Sequence, residues 1–149
     1  MGNGIAHVFA QSGYQVALFD VSEAALTRAV ATIEKNLDRQ VAKGTLSTAD
    51  KDAALSRIQT VTSLEAAVSQ ADLVVEAATE NEAVKMKIFE DLDRLAPAHC
   101  ILASNTSTLD VNQIASFTKR PEDVVGMHFF SPANVMKLSE VIRGAKTSK

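Results

Sequence analysis

The sequence has little of what several classes of protein require. It contains a single cysteine, so an internal disulfide framework is excluded. No apolar run approaches the roughly 20 residues that span a bilayer, and no secretory signal opens the chain. The net charge of −3 is spread over interspersed acidic and basic residues, which predicts neither nucleic acid nor a membrane surface as a partner. We therefore expect a cytoplasmic protein, or a matrix protein if a transit peptide has been removed.

What remains is the composition of an ordinary globular domain. The 149 residues are 46% hydrophobic and 22% charged, which suffices for one domain with a real core. Cys100 opens an apolar run, where a buried core residue is a better interpretation than a nucleophile. His7, His99 and His128 stand far apart without ligand spacing, so no metal site is predicted.

Helical and extended patterns alternate along the chain, which predicts an α/β fold with a doubly wound, mostly parallel sheet. Ser22 is expected to cap a long helix that Gly44 ends. The predicted helices cover residues 4–12, 23–43, 48–55, 64–70, 82–95 and 111–116. The predicted strands cover residues 15–19, 57–62, 73–78, 100–103, 123–127 and 135–142, and the run at 73–78 is expected to be buried. Such a sheet normally begins with a central strand before the glycine-rich turn, and the sequence has none there.

Polar side chains follow three of the apolar runs. Asn105 and Ser107 come after one strand, His128 after the next, and Glu140 after residues 135–138. Ligands of such sheets bind outside the carboxyl ends of the strands. A hydroxyl, an imidazole and a carboxylate that converge there supply a polarising group, a base and a residue that orients the base. Alternatively, Asn105 and Ser107 cap the next helix and His128 is structural.

The beginning of the chain has features of a dinucleotide site. Gly2, Asn3 and Gly4 precede a helix whose N-terminal amides suit a pyrophosphate. Asp20 ends the next strand, about 20 residues later, where a carboxylate accepts hydrogen bonds from a ribose. Because no arginine is adjacent to accept a 2′-phosphate, NAD is favoured over NADP. The simpler alternative is that Asp20 only caps the following helix.

Two further pairs allow a functional or a simple interpretation. Glu80 and Lys85 flank the start of the helix at 82–95, where they either contact a cofactor or form an exposed charge pair. Asn36 and Lys43 share one face of the long helix, where they either bind a long, phosphate-bearing substrate or are solvated.

Together the motifs resemble the 3-hydroxyacyl-CoA dehydrogenase family across essentially the whole chain. The segments that carry the resemblance are residues 2–10 (GNGIAHVFA), 18–20 (LFD), 104–108 (SNTST), 126–132 (GMHFFSP) and 135–142 (VMKLSEVI). The resemblance implies a Rossmann-like NAD-binding domain that serves the NAD-dependent oxidation of an (S)-3-hydroxyacyl-CoA to the 3-ketoacyl-CoA. It thereby also implies an acyl-CoA partner.

The resemblance also implies roles for individual residues. His128 would remove the 3-hydroxyl proton, Glu140 would orient His128, and Ser107 would hydrogen-bond the substrate oxygen. The implied contacts to NAD are Gly2, Asp20, Glu80, Lys85, Asn105, Ser107 and Ser131. The implied contacts to coenzyme A are Asn36, Lys43 and Ser107.

Three departures from the family pattern affect what we expect of this chain. Gly2 matches only the last of three glycines in the family's dinucleotide turn, and Ser131 stands where the family usually has asparagine. The family also continues into a helical domain that forms a homodimer and supplies a further catalytic asparagine. We therefore expect residues 1–149 to be a fragment, the NAD-binding domain, with negligible turnover by itself. Two alternatives are a non-catalytic nucleotide-binding relative or inactive remnant, and a dehydrogenase of another 3-hydroxy acid.

Overall fold

The computed structural model describes residues 2–78, 81–106, 109–129 and 139–143. Its elements alternate between helix and strand and divide into two compact units. Within the described ranges the first unit contains residues 2–67 and the second contains residues 68–129 and 139–143. None of the helices in these ranges is long and apolar enough to cross a membrane.

The first unit is a two-stranded parallel sheet with three helices. Strand β1 pairs with β2, and the register places Val16 opposite Ile58. Its elements are α1 (Gly2–Gln11), β1 (Val16–Phe19), α2 (Glu23–Ala42), α3 (Thr48–Ser56) and β2 (Ile58–Val61). A short helix, α4 (Leu64–Val68), continues the chain into the second unit.

Helix α2 has the boundaries that its sequence predicts. Ser22 Oγ accepts a hydrogen bond from Ala25 N at 3.2 Å, and Gly44 takes a positive φ of 75° just past the helix. Ile33 and Leu37, one turn apart on α2, are fully buried against Ala6 and Ala54 in the core of this unit. The apolar stripe of α2 therefore supplies the packing that local hydrogen bonds alone do not.

The second unit is a four-stranded sheet in the order β3–β4–β5–β6. The first three strands are parallel, and β6 runs antiparallel to β5. Its elements are β3 (Leu73–Glu76), α5 (Glu82–Leu95), β4 (Ile101–Ser104), α6 (Val111–Ser116), a 3-10 turn (Pro121–Asp123), β5 (Val124–Phe129) and β6 (Ser139–Arg143).

The α/β class and the mostly parallel sheet are confirmed, but three local predictions need correction. Helix α1 begins at Gly2, so the glycines at 2 and 4 belong to its first turn and not to a separate loop. His128 lies inside β5 and not after it, because pairing with β6 extends that strand beyond its apolar run. Glu140 lies inside β6, within the strand predicted at residues 135–142. The part of the predicted last strand before Ser139 lies outside the described residues.

The third correction concerns the burial of β3. Leu73, Val74 and Val75 are half-buried, and only Glu76 is buried, whereas the sequence predicts a fully buried strand. Among the described strands β3 stands at the edge of the four-stranded order and pairs with β4 alone. An edge strand has one neighbour fewer to cover its side chains, which accounts for this exposure.

Candidate active site

The register of β5 and β6 brings His128 and Glu140 together. The two residues are direct partners in the antiparallel pair. Directly opposite positions of such a pair share one face of the sheet, about 4.5–5.5 Å apart at Cβ. His128 itself is half-buried. The predicted base and the residue predicted to orient it therefore occupy opposite positions of neighbouring strands, although they are 12 residues apart in sequence.

Asn105 connects the carboxyl ends of three neighbouring strands. Its backbone N–H donates to Glu76 O at the end of β3, at 2.8 Å. Its side-chain Oδ1 accepts from Phe129 N on β5, at 2.9 Å. Asn105 follows β4 directly, so these two bonds tie the ends of β3, β4 and β5 together next to His128.

A fully buried polar cluster lies at the same end of the sheet. Lys85 Nζ on α5 donates to Glu76 Oε1 at 2.5 Å and to Ser104 Oγ at 3.1 Å. Ser104 Oγ donates to the same carboxylate oxygen at 2.7 Å, and Ala78 N donates to Glu76 Oε2 at 2.7 Å. Glu76, Lys85 and Ser104 are at most 5% exposed. The carboxylate and the ammonium are thus compensated by each other and by the groups around them.

This arrangement changes the interpretation of Lys85. An exposed pairing with Glu80 was one prediction, whereas Lys85 is buried and pairs with Glu76. Sequence analysis missed Glu76 and Ser104. A usable signal was present, because Lys85 shares the buried stripe of α5 with Phe89 and Leu92, and a lysine in such a stripe requires a buried acceptor.

The first unit contains two residues that are predicted to bind the nucleotide, Gly2 and Asp20. Gly2 begins α1, and a Cβ added to it would meet nothing within 4 Å. Asp20 follows β1 and is half-buried. Its Oδ1 accepts from Ser22 N at 2.9 Å, while Ser22 provides the N-cap of α2. Asp20 therefore shapes the turn before the helix, and the capping role proper belongs to Ser22.

Asn36 and Lys43 lie on α2 as the spacing predicts. Asn36 is half-buried, and its Oδ1 accepts from Arg39 Nη1 at 3.5 Å. Lys43 is the exposed C-cap residue of the helix. Steps of seven, four and four residues place four exposed cations on one face of the helix, namely Arg28, Lys35, Arg39 and Lys43.

Several predicted site residues lie outside the described residues. They are Glu80, Ser107 and Ser131, and their roles stay predictions. The other two histidines have side-chain partners of their own. His99 Nε2 is 2.8 Å from Asp72 Oδ1, and His7 Nε2 is 2.9 Å from Gln40 Oε1. In the ranges that the structure describes, no three His, Cys, Asp or Glu residues are grouped as metal ligands.

Comparison with known proteins covers the entire chain. Residues 1–149 match the family described as 3-hydroxyacyl-CoA dehydrogenase, NAD binding domain. The chain is 44% identical over its full length to a probable 3-hydroxybutyryl-CoA dehydrogenase of Bacillus subtilis, of which it covers 52%. It is 43% identical to a 3-hydroxybutyryl-CoA dehydrogenase of Clostridioides difficile, again over its full length and 53% of that protein. The chain thus spans about half the length of these curated relatives.

Solved structures show the same similarity in three dimensions. A 3-hydroxybutyryl-CoA dehydrogenase from Escherichia coli superposes with a TM-score of 0.96 at 44% identity, over 99% of this chain and 31% of that one. An (S)-3-hydroxybutyryl-CoA dehydrogenase from Ralstonia eutropha gives the same TM-score and identity, over 99% of this chain and 52% of the other. The predicted family, Rossmann-like fold and NAD cofactor are confirmed. The chain belongs to the NAD-binding domain family of the 3-hydroxyacyl-CoA dehydrogenases.

Proposed function

We propose that this domain serves the NAD-dependent oxidation of an (S)-3-hydroxyacyl-CoA to the 3-ketoacyl-CoA, with turnover that also requires the helical domain of the family. The observation that carries the proposal is the direct pairing of His128 with Glu140 in a domain of this family. A histidine is suited to proton transfer near neutral pH, and a carboxylate beside it orients the ring.

In this proposal three polar residues have separate tasks. His128 accepts the proton of the 3-hydroxyl group. Glu140 orients the imidazole and stabilises its protonated form, and Ser107 hydrogen-bonds the substrate oxygen. Bound NAD supplies the acceptor for the hydride that leaves C3. The protein itself therefore moves one proton and aligns the carbon that is oxidised.

The residues of the first unit fit the cofactor. The free amides of the first turn of α1 suit a pyrophosphate, and Gly2 leaves room for close approach. Within the described residues only Oδ1 of Asp20 is engaged, so Oδ2 can accept hydrogen bonds from a ribose. We propose Glu80 and Ser131 as further contacts. Lys85 would contribute to the cofactor site from within the buried cluster, where Glu76 and Ser104 hold its ammonium.

The charge distribution of α2 supports coenzyme A as part of the substrate. Four exposed cations share the face that carries Asn36, and Glu34 and Asp38 lie outside that face. A cationic face suits the phosphates of coenzyme A better than a small free hydroxy acid, which carries a single charge. We accordingly assign Asn36 and Lys43 to binding of the acyl-CoA. A homodimer in the cytoplasm, without nucleic-acid or membrane partners, stays part of the prediction.

The proposal is tested with His128→Gln in a protein that joins this domain to the helical domain of the family, called the full-length protein below. With acetoacetyl-CoA and NADH, kcat is expected to fall by about 10²–10⁴ because the proton-transfer group is lost. The Kd for NADH should stay within about twofold, since His128 is assigned to the substrate. His99→Gln is the matched control, because His99 is exposed and pairs with Asp72. Equal losses of NADH affinity and kcat would instead identify His128 as structural, and turnover of free 3-hydroxybutyrate would favour another 3-hydroxy acid.

A further inference from the structure

We propose that Asn105 is a positioning residue for His128, acting through the backbone of β5. The inference rests on the proposed function, in which His128 is the base. It replaces both earlier interpretations of Asn105, the implied contact to the cofactor and the capping of the next helix.

Strand β5 extends beyond the strand that supports it on one side. The register between β4 and β5 ends at Ser104 and Gly126, whereas β5 continues to Phe129. His128 lies in this three-residue extension. On the β4 side, the carbonyl that a longer strand would offer to the ladder is replaced by Oδ1 of Asn105, which accepts from Phe129 N at 2.9 Å.

The support provided by Asn105 is itself held in place. Its backbone N–H is bonded to Glu76 O at 2.8 Å. The preceding residue, Ser104, is completely buried and donates to Glu76 Oε1. Lys85 contacts both of these side chains. The ends of β3 and β4 therefore form a rigid base from which Asn105 reaches β5, which is the kind of second layer that a catalytic geometry requires.

The hydrogen bond from Phe129 N also determines which way the side-chain amide of Asn105 faces. Phe129 N is a donor, so the oxygen of the Asn105 amide must face it. The hydrogen-bonding oxygen is thus committed to the residue directly after His128. Losing it removes a hydrogen bond from the backbone directly after His128, and a displacement of about 1 Å at a reacting group lowers turnover by about 10²-fold.

The experiment compares Asn105→Ala and Asn105→Asp in the full-length protein. We expect Asn105→Ala to lower kcat with acetoacetyl-CoA by about 10²-fold, with the Kd for NADH within about twofold. Asn105→Asp keeps an acceptor for Phe129 N and should recover most of the lost kcat. Ser47→Ala is the control, since it removes a comparable side-chain bond to the backbone, Asp50 N to Ser47 Oγ, in the other unit.

A second measurement does not depend on turnover. In the ligand-free protein, Asn105→Ala should speed hydrogen exchange at Phe129 N and shift the imidazole NMR signals of His128, and Ser47→Ala should do neither. If these signals move while His128→Gln leaves kcat unchanged, the positioning stands and the proposed function fails. If the NADH Kd rises tenfold while the His128 signals and kcat stay constant, Asn105 is a cofactor ligand and the positioning role is refuted.

Discussion

The ammonium of Lys85 lies 2.5 Å from Glu76 Oε1, and the two side chains are 1% and 3% exposed. A charge pair at this depth has lost its hydration, and its own attraction only partly offsets that cost. Hydrogen bonds from Ser104 Oγ and Ala78 N to the same carboxylate supply further compensation. Removing either partner alone should consequently destabilise the domain.

We predict that Lys85→Met destabilises the protein by about 3–5 kcal/mol, because Glu76 is left as an uncompensated buried charge. The free energy of unfolding is measured by urea denaturation. Lys87→Met is the matched control on the same helix, since Lys87 is 76% exposed and pairs loosely with Asp91 at 3.6 Å. Its cost should be about 0–1 kcal/mol. Adding Glu76→Gln to Lys85→Met should restore part of the loss, and equal costs for the two lysine variants would contradict the prediction.

We predict that replacing Arg120 destabilises the protein more than replacing the exposed Arg94. Its guanidinium donates to Asp93 Oδ1 at 2.8 Å, to Asp93 O and Pro97 O at 2.7 Å, and to Ala96 O at 3.2 Å. Arg120→Ala leaves carbonyls at the C-terminal end of α5 unsatisfied and is expected to cost about 2–3 kcal/mol. Arg94→Ala, which removes a side chain 70% exposed beside Asp91, should cost about 0–1 kcal/mol. Thermal unfolding of both variants decides whether the difference exists.

We predict that the buried thiol of Cys100 makes the protein less stable in alkaline solution. Burial raises the pKa of its thiol above the ordinary value of 9.0, Asp72 adds to the rise, and Arg120 opposes it. The unfolded thiol therefore ionises at a lower pH than the folded one. This contribution to stability is complete below pH 9.0 and is lost as the pH rises towards the folded pKa. The difference in free energy of unfolding between wild type and Cys100→Ala should shift in favour of the variant between pH 7.5 and 10, and a constant difference would argue against it.

Glu140→Gln tests the second member of the catalytic pair. We expect kcat to fall by about 10²-fold, because the imidazole loses the charge that orients it and stabilises its protonated form. The Kd for NADH should not change. Glu90→Gln removes an exposed carboxylate of α5 and serves as the control in the same assay. Wild-type kcat in Glu140→Gln would show that its position opposite His128 has no catalytic consequence.

Local signals in the sequence predicted the elements well where both ends are marked. Helix α5 has the predicted bounds of Glu82–Leu95, with Asn81 as a side-chain cap, and α6 likewise covers Val111–Ser116. Boundaries failed where pairing with a neighbouring strand sets the length. The polarity of His128 placed the predicted end of β5 too early, because hydrogen bonds to β6, not hydrophobicity, carry that strand to Phe129.

The candidate site was predicted in its chemistry more than in its contacts. His128 and Glu140 were identified as a pair from residue type and position, and the antiparallel register brings them together. The buried partner of Lys85 was not identified, since Glu76 lies nine residues away and on a different element. The bond from Phe129 N to Asn105 spans 24 residues, and no periodicity or local motif reports such a contact.

Residue type and spacing predicted the α/β class and favoured NAD, and the resemblance of the motifs implied the family, because each of these can be recognised from local segments of the sequence. Burial of the Glu76–Lys85 pair, the opposition of His128 and Glu140, and the tie between Asn105 and β5 depend instead on strand register and on which side chains lose contact with water. Those are properties of distant segments after packing, and they turn a set of polar residues into an ordered site.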